Sequence, residues 1–244
     1  MDGGGSSRGR ASVSMPRMTG FDWLEVDVKA FAAATGEGSE TAAKTPVEHV
    51  RRALGIEAAE QAGDLRPTLV FFHWRHDADP ARLEPEAKTS LALCTKVLDQ
   101  EASARWGLLF RCVQVDPTTS DARLLAAIGA DGKPGFVVLD AATAKPTIRF
   151  GDVSTPAKFV KACQDAIAKL PAAKAALDAA LAEQAKTLAT ARAAAKADKL
   201  ADALALYDGI VYGKVRVGPS FDTAFTEQQT VREKAERARA KDAR

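Results

Sequence analysis

The hydrophobic positions of the chain form an ordered series of strand-like and helix-like segments. The run TLVFF at residues 68–72 is apolar, β-branched and aromatic throughout, which is typical of a central strand that is buried on both faces. A short apolar segment at residues 21–31 precedes it. Further strands are predicted at residues 108–115, 136–140 and 147–150. Apolar residues at helical spacing predict helices at residues 46–62, 85–104, 121–128 and 157–169.

Two of these helices begin with recognisable capping sequences. Thr45, Pro46 and Glu48 place a hydroxyl cap, a first-turn proline and a capping-box glutamate at the start of the first helix. Thr155 and Pro156 repeat the cap and the proline before the helix at residues 157–169.

The chain divides into three parts by composition. Residues 1–20 are rich in Gly, Ser and Arg, which predicts a disordered leader. Residues 21–170 hold the strands and helices described above, and Pro171 marks the predicted end of this domain. Residues 171–244 are dominated by Ala, Leu, Lys and Glu, which are strong helix formers. We predict an α-helical extension there, with two helices at residues 175–206 and a last one at residues 223–239.

Composition narrows the classes of partner. The 34 Lys and Arg residues nearly balance the 32 Asp and Glu residues, and the net charge of +2 favours neither nucleic acid nor a membrane as partner. No stretch approaches the roughly 18 apolar residues of a membrane span.

The three cysteines, Cys94, Cys112 and Cys163, are too widely spaced for a disulfide framework or a zinc site. We therefore expect a cytoplasmic protein.

The order of the elements resembles the thioredoxin-like fold superfamily. The resemblance rests on the apolar strand that leads to Trp74, on the strand that closes on Asp116, and on the segment from Lys133 through Pro134 into the strand at 136–140. It implies an α/β fold, a thioredoxin-like three-layer sandwich with a central mixed sheet, followed here by the helical extension. In the family, the proline that Pro134 matches is cis and faces the active site.

The chain departs from the family where the chemistry should lie. Thioredoxins place Cys-x-x-Cys directly after the tryptophan, but here Trp74 is followed by Arg75, His76, Asp77 and Ala78. Without a thiolate pair, dithiol exchange by the family mechanism is excluded. The family resemblance still implies a peptide-binding groove, because the backbone at the position of Lys133 pairs with bound peptides in the family. The candidate groove residues are Trp74, Arg75, His76, Lys133 and Pro134.

His73, His76, Asp77 and Asp79 form the one cluster of metal-ligand types. Side chains so close in sequence make a weak metal site, and we favour a polar loop with Asp77 or Asp79 capping the next helix. We predict no metal or other cofactor. His76 as a residual proton-transfer group remains an alternative.

Three functions follow from these observations. The first is a redox-inactive thioredoxin-like module that binds a protein or peptide, and for it we favour a non-enzyme over an enzyme. The second is a thiol-dependent oxidoreductase that uses Cys94 alone, although Cys94 lies about two turns into its predicted helix. The third is a structural subunit that forms a homo-oligomer through its C-terminal helices, of which residues 200–212 resemble half of a tetratricopeptide unit.

Overall fold

A computed structural model describes Phe21 and residues 23–26, 46–74 and 84–242. The predicted leader, the Thr45 cap and the loop that holds Arg75, His76, Asp77 and Asp79 lie outside the described residues. Within the described ranges, none of the helices combines the length and the apolar character needed to cross a lipid bilayer.

Five strands form one mixed sheet in the order β1, β3, β2, β4, β5. The strands β1, β2 and β3 are parallel to one another, and β4 and β5 each run antiparallel to their neighbours. Their bounds are Leu24–Glu25 (β1), Thr68–Phe72 (β2), Arg111–Val115 (β3), Gly135–Leu139 (β4) and Pro146–Arg149 (β5). The four strands predicted at residues 68–150 are therefore confirmed, with small shifts at their ends.

The central strand β2 is fully buried, as its apolar sequence predicts. Alternate side chains point to opposite faces of a strand, so Leu69 and Phe71 enter one core while Val70 and Phe72 enter the other. Because helices cover both cores, the α/β part has helices on each side of its sheet.

The described helices of the α/β part alternate with the strands along the chain. Their bounds are Pro46–Ala53 (α1), Ile56–Gln61 (α2), Pro85–Leu93 (α3), Glu101–Gly107 (α4), Ala122–Ala127 (α5) and Pro156–Ala168 (α6). Buried residues of α1, α2 and α5 join the core of Val70, and those of α3, α4 and α6 line the core of Phe71.

The first predicted helix is wrong as a single element, because it is broken at Gly55. Gly55 has a φ of 64° in the left-handed region, which costs an L-residue with a side chain roughly 1–2 kcal/mol. The change of direction lets Val50, Leu54 and Ile56 all reach the same core. An ion pair from Arg51 to Glu60 links the two halves across the break.

The prediction of one helix over residues 85–104 is also wrong. The α3 helix passes at Cys94 into a π-helical turn, Cys94–Leu98, in which the amide of Asp99 donates to the carbonyl of Cys94 at 3.0 Å. Gln100 then adopts an extended backbone before α4 begins. The wider turn places Cys94, Val97 and Leu98 in the core together, so burial of apolar area outweighs helical regularity here.

The C-terminal part is helical, as predicted, and its three described helices are Pro171–Lys196 (α7), Leu200–Val211 (α8) and Pro219–Asp242 (α9). They share an apolar cluster that includes Leu188, Tyr207 and Phe221. Leu177 of α7 and Val217 before α9 instead pack with the core of the α/β part. Residues that follow Pro171 therefore pack directly against the core of the α/β part.

Two glycine substitutions should shift stability in opposite directions. Gly55→Ala should destabilise the fold by about 1–2 kcal/mol, because the left-handed φ is retained while a Cβ is added. Gly209→Ala should stabilise it by about 0.5–1 kcal/mol, because Gly209 is an exposed interior residue of α8 and a Cβ there meets no atom within 4 Å. Urea denaturation followed by circular dichroism measures both effects. Equal stability of the two variants would contradict the assigned break at Gly55.

Candidate functional site

The ends of β2 and β3 and the start of β4 lie at one edge of the sheet. Phe72 pairs with Val115 on one side and with Gly135 on the other. Trp74 directly follows β2, Asp116 follows β3, and Pro134 precedes β4. We call this the Trp74–Pro134 edge. The topology therefore brings together the described members of the predicted groove, which are far apart in the sequence.

Trp74 is half-buried at this edge, where it packs against the core that contains Phe72 and Val137. Its neighbour His73 continues the pairing of β2, because its amide donates to the carbonyl of Val115 at 2.9 Å. The other two candidates on this side, Arg75 and His76, lie outside the described residues. Trp74 thus combines packing with a partly exposed ring, as residues at binding surfaces often do.

On the other side of the edge, Lys133 is exposed but its main chain is already hydrogen-bonded. Its amide donates to Asp131 Oδ1 at 3.0 Å, and its carbonyl accepts from Arg149 Nη2 at 3.2 Å. Arg149 also pairs with Asp131 at 2.5 Å and lies over the ring of Phe72, with its guanidinium carbon 5.5 Å from the ring centroid. A peptide that pairs with the backbone of Lys133 would have to compete with these contacts.

The cis proline implied by the family resemblance is absent. No peptide bond among the described residues is cis, so the bond between Lys133 and Pro134 is trans. Pro134 itself is half-buried at the start of β4. This corrects the geometry expected for the groove, because trans is the isomer that X-Pro bonds ordinarily adopt in folded proteins.

Arg149 was missed in the sequence, and its role depends on tertiary contacts. It lies in β5 and reaches back to the loop that precedes β4, including the carbonyl of Gly129 at 3.2 Å. A lone arginine in a short strand carries no local signal of this kind. The contacts become visible only when β4 and β5 pair.

The buried neighbourhood of His73 contains the thiol proposed for the single-cysteine alternative. His73 Nδ1 lies 2.6 Å from the hydroxyl of Ser90 and 3.8 Å from Cys94 Sγ. Ser90 and Cys94 are one helical turn apart and therefore face the same side. His73, Ser90 and Cys94 are each at most 2% exposed, so this cluster packs inside the core rather than at the Trp74–Pro134 edge.

Burial also suppresses ionisation of two of the cysteines, Cys94 and Cys163. Desolvation, with a smaller contribution from the charge of Asp99, raises the pKa of the Cys94 thiol to about 12. Burial likewise raises the pKa of Cys163 well above its ordinary value. Cys112 is buried within β3. Because the thiolate is the nucleophile, this environment is unsuited to thiol chemistry near neutral pH.

In the ranges that the structure describes, no group of three or more His, Cys, Asp or Glu side chains could hold a metal ion. His73 faces the core, whereas the other three residues of the candidate metal cluster lie outside those ranges. Comparisons with protein-family models, with curated protein sequences and with solved structures give no match to this chain.

Cys94 should resist alkylation in the folded protein. Its pKa of about 12 keeps the thiol neutral at about pH 8, where an ordinary cysteine with a pKa of about 8.5 is already partly ionised. We expect intact mass spectrometry to show no iodoacetamide adduct on the native protein. Denaturation in guanidinium chloride, the positive control, should yield three adducts, one for each cysteine. Rapid labelling of Cys94 alone in the native state would favour the oxidoreductase hypothesis instead.

Proposed function

We propose that this chain is a redox-inactive, thioredoxin-like protein that acts by binding a protein or peptide at the Trp74–Pro134 edge. The observation that carries the proposal is the sheet order β1, β3, β2, β4, β5 with two parallel and two antiparallel strand pairings. The helices and strands that build this sheet also follow along the chain in the element order on which the family resemblance depends. Helices on both faces of the sheet further support a thioredoxin-like sandwich.

The loss of thiol chemistry is supported by the position of the sulfur atoms. Trp74 is followed in the sequence by no cysteine pair, and Cys94, Cys112 and Cys163 are all buried. A protein that keeps the edge without a thiolate has no means of dithiol exchange there. Binding of a protein or peptide needs no redox group, so it is the function that we assign to this edge.

The contacts at the edge favour recognition through side chains over strand addition. The amide and carbonyl of Lys133 are held by Asp131 and Arg149, whereas the Lys133 side chain is exposed and the Trp74 ring is partly exposed. A partly exposed aromatic residue and an exposed cation at the same edge suit a peptide that carries both an apolar or aromatic residue and an acidic one. We therefore assign the partner this chemistry.

Peptide selection by phage display on the full chain tests this function. Selected peptides should bind with affinities that fall about tenfold in Trp74→Ala and in Lys133→Glu, since an aromatic anchor or a charged partner contributes about 1–2 kcal/mol or more. The matched control is Lys145→Glu, which makes the same charge change at an exposed residue at the opposite end of β4. Fluorescence anisotropy measures the affinities. Peptides whose binding depends on none of the edge residues would contradict the proposal.

The rival role as a structural subunit rests on exposed aromatic side chains of the helical part. Tyr212 and Phe225 are 61% and 43% exposed, and together with Arg105 and Phe221 they line a cleft of about 450 Å³ between α4 and the helices α8 and α9. Several large apolar side chains of the three C-terminal helices, among them Leu188, Tyr207 and Phe221, are instead buried against one another within the chain. Among the described residues of these helices, Tyr212 and Phe225 are the large apolar side chains that stay exposed, so the aromatic surface they offer for assembly is small.

Light scattering on the full chain separates the two roles. We expect a monomer mass for the wild type and for Phe225→Asp, because a stable homodimer usually buries far more apolar surface than two aromatic side chains provide. The substitution is matched by Phe225→Leu, which keeps the position apolar. A dimer in the wild type and in Phe225→Leu that dissociates in Phe225→Asp would establish the structural role.

A further inference from the structure

A second cleft lies at the opposite end of the sheet, where β2 and β3 begin. It has a volume of about 640 Å³, which falls in the range of small-molecule sites. One wall consists of small apolar side chains, Ala58 and Ala59 of α2 and Ala62 beyond it. The charged residues that line it are Arg52, Arg66, Arg111 and Asp64. The cleft therefore combines an apolar wall with a cationic side.

Arg111 is the unusual residue of this cleft. It is the first residue of β3 and is only 4% exposed. Its Nη2 donates to the carbonyl of Leu54 at 2.6 Å and lies 3.3 Å from the hydroxyl of Thr68. Its Nη1 has no hydrogen-bond partner among the described residues. A buried guanidinium remains charged and is costly unless its donors and its charge are matched.

The nearby charges do not match it. The negative charge of Asp64 attracts Arg111 electrostatically. Both carboxylate oxygens of Asp64, however, accept hydrogen bonds from Arg66. Burial lowers the pKa of Arg111, which reflects the cost of its charge at this position. The cleft thus carries an excess of positive charge at a point where a hydrogen-bond donor is unused.

Gly55 lies beside the unused donor. It lines the cleft, and a Cβ at this position would come within 3.3 Å of Arg111 Nη1. Nη1 itself is covered in this structure, and the glycine leaves the space next to it free of a side chain.

We propose that this cleft binds a small organic acid, a carboxylate that carries an apolar chain. Binding shifts the chain at Gly55 enough to admit the carboxylate, which accepts a hydrogen bond from Arg111 Nη1 and balances its charge. The apolar chain of the ligand lies on the alanine wall of α2. Charge-assisted hydrogen bonds of this kind are among the strongest in proteins. The site lies at the far end of the sheet from the Trp74–Pro134 edge, and it does not depend on peptide binding there.

Decanoate is the probe that tests this site, with isothermal titration calorimetry on the full chain as the measurement. We expect saturable binding at one site. Decanol, which has the same chain without the charge, and acetate, which has the charge without the chain, should each bind at least about tenfold more weakly.

Two variants act on different parts of the site. Arg111→Met removes the charge while keeping an unbranched side chain, and Ala58→Trp fills the cleft from an exposed position of α2. Each should weaken decanoate binding about tenfold or more. The matched control Arg237→Met removes the same charge at a residue of α9 whose side chain is 79% exposed, and it should leave the affinity unchanged. Circular dichroism verifies that each variant is folded.

The proposal is overturned if decanoate shows no saturable binding, if decanol binds as tightly as decanoate, or if folded Arg111→Met keeps the wild-type affinity. If Arg111→Met fails to fold, Ala58→Trp decides the outcome together with the decanol comparison. Undiminished decanoate binding to Ala58→Trp then places the ligand elsewhere on the chain and also overturns the proposal.

Discussion

Complete burial of β2 is the constraint on which the rest of the structure depends. Its side chains are shielded from solvent on both faces, and each face must be covered by helices for the strand to be stable. Phe71 is stacked against Phe136 with ring centroids 4.7 Å apart, which ties β2 to β4 on one face. On the other face, Val70 and Phe72 pack against residues of α1, α2 and α5. The two cores, and the positions of both candidate sites, follow from this strand.

The two ends of the same strand lead to different chemistry. At its carboxyl end, Trp74 lies at an edge without sulfur, where Arg149 holds the backbone of Lys133. At its amino end, Thr68 contacts Arg111, a buried cation that lines the second cleft. The two proposed binding surfaces do not depend on the buried thiols, because neither requires ionisation of a cysteine.

The C-terminal helices contribute to the core as well as forming their own. Leu177 and Val217 pack with the core of Phe71, while Tyr207 is buried among the helices, with its hydroxyl donating to Glu227 at 2.9 Å. Arg192 forms a bidentate pair with the same carboxylate. The helical part thus packs against the α/β part, and its helices pack against one another. This packing accounts for the small aromatic surface that stays exposed.

The amino-acid sequence by itself determined the strands and most helices, because their apolar periodicity and their prolines are local signals. It also excluded a cysteine pair after Trp74. Only the tertiary structure decided the breaks at Gly55 and after Cys94, where burial of apolar side chains outweighs helical propensity. It alone placed Arg149 against the carbonyl of Lys133 and left a buried donor of Arg111 without a hydrogen-bond partner beside a cleft. These features join residues distant in sequence, and the local pattern carries no information about them.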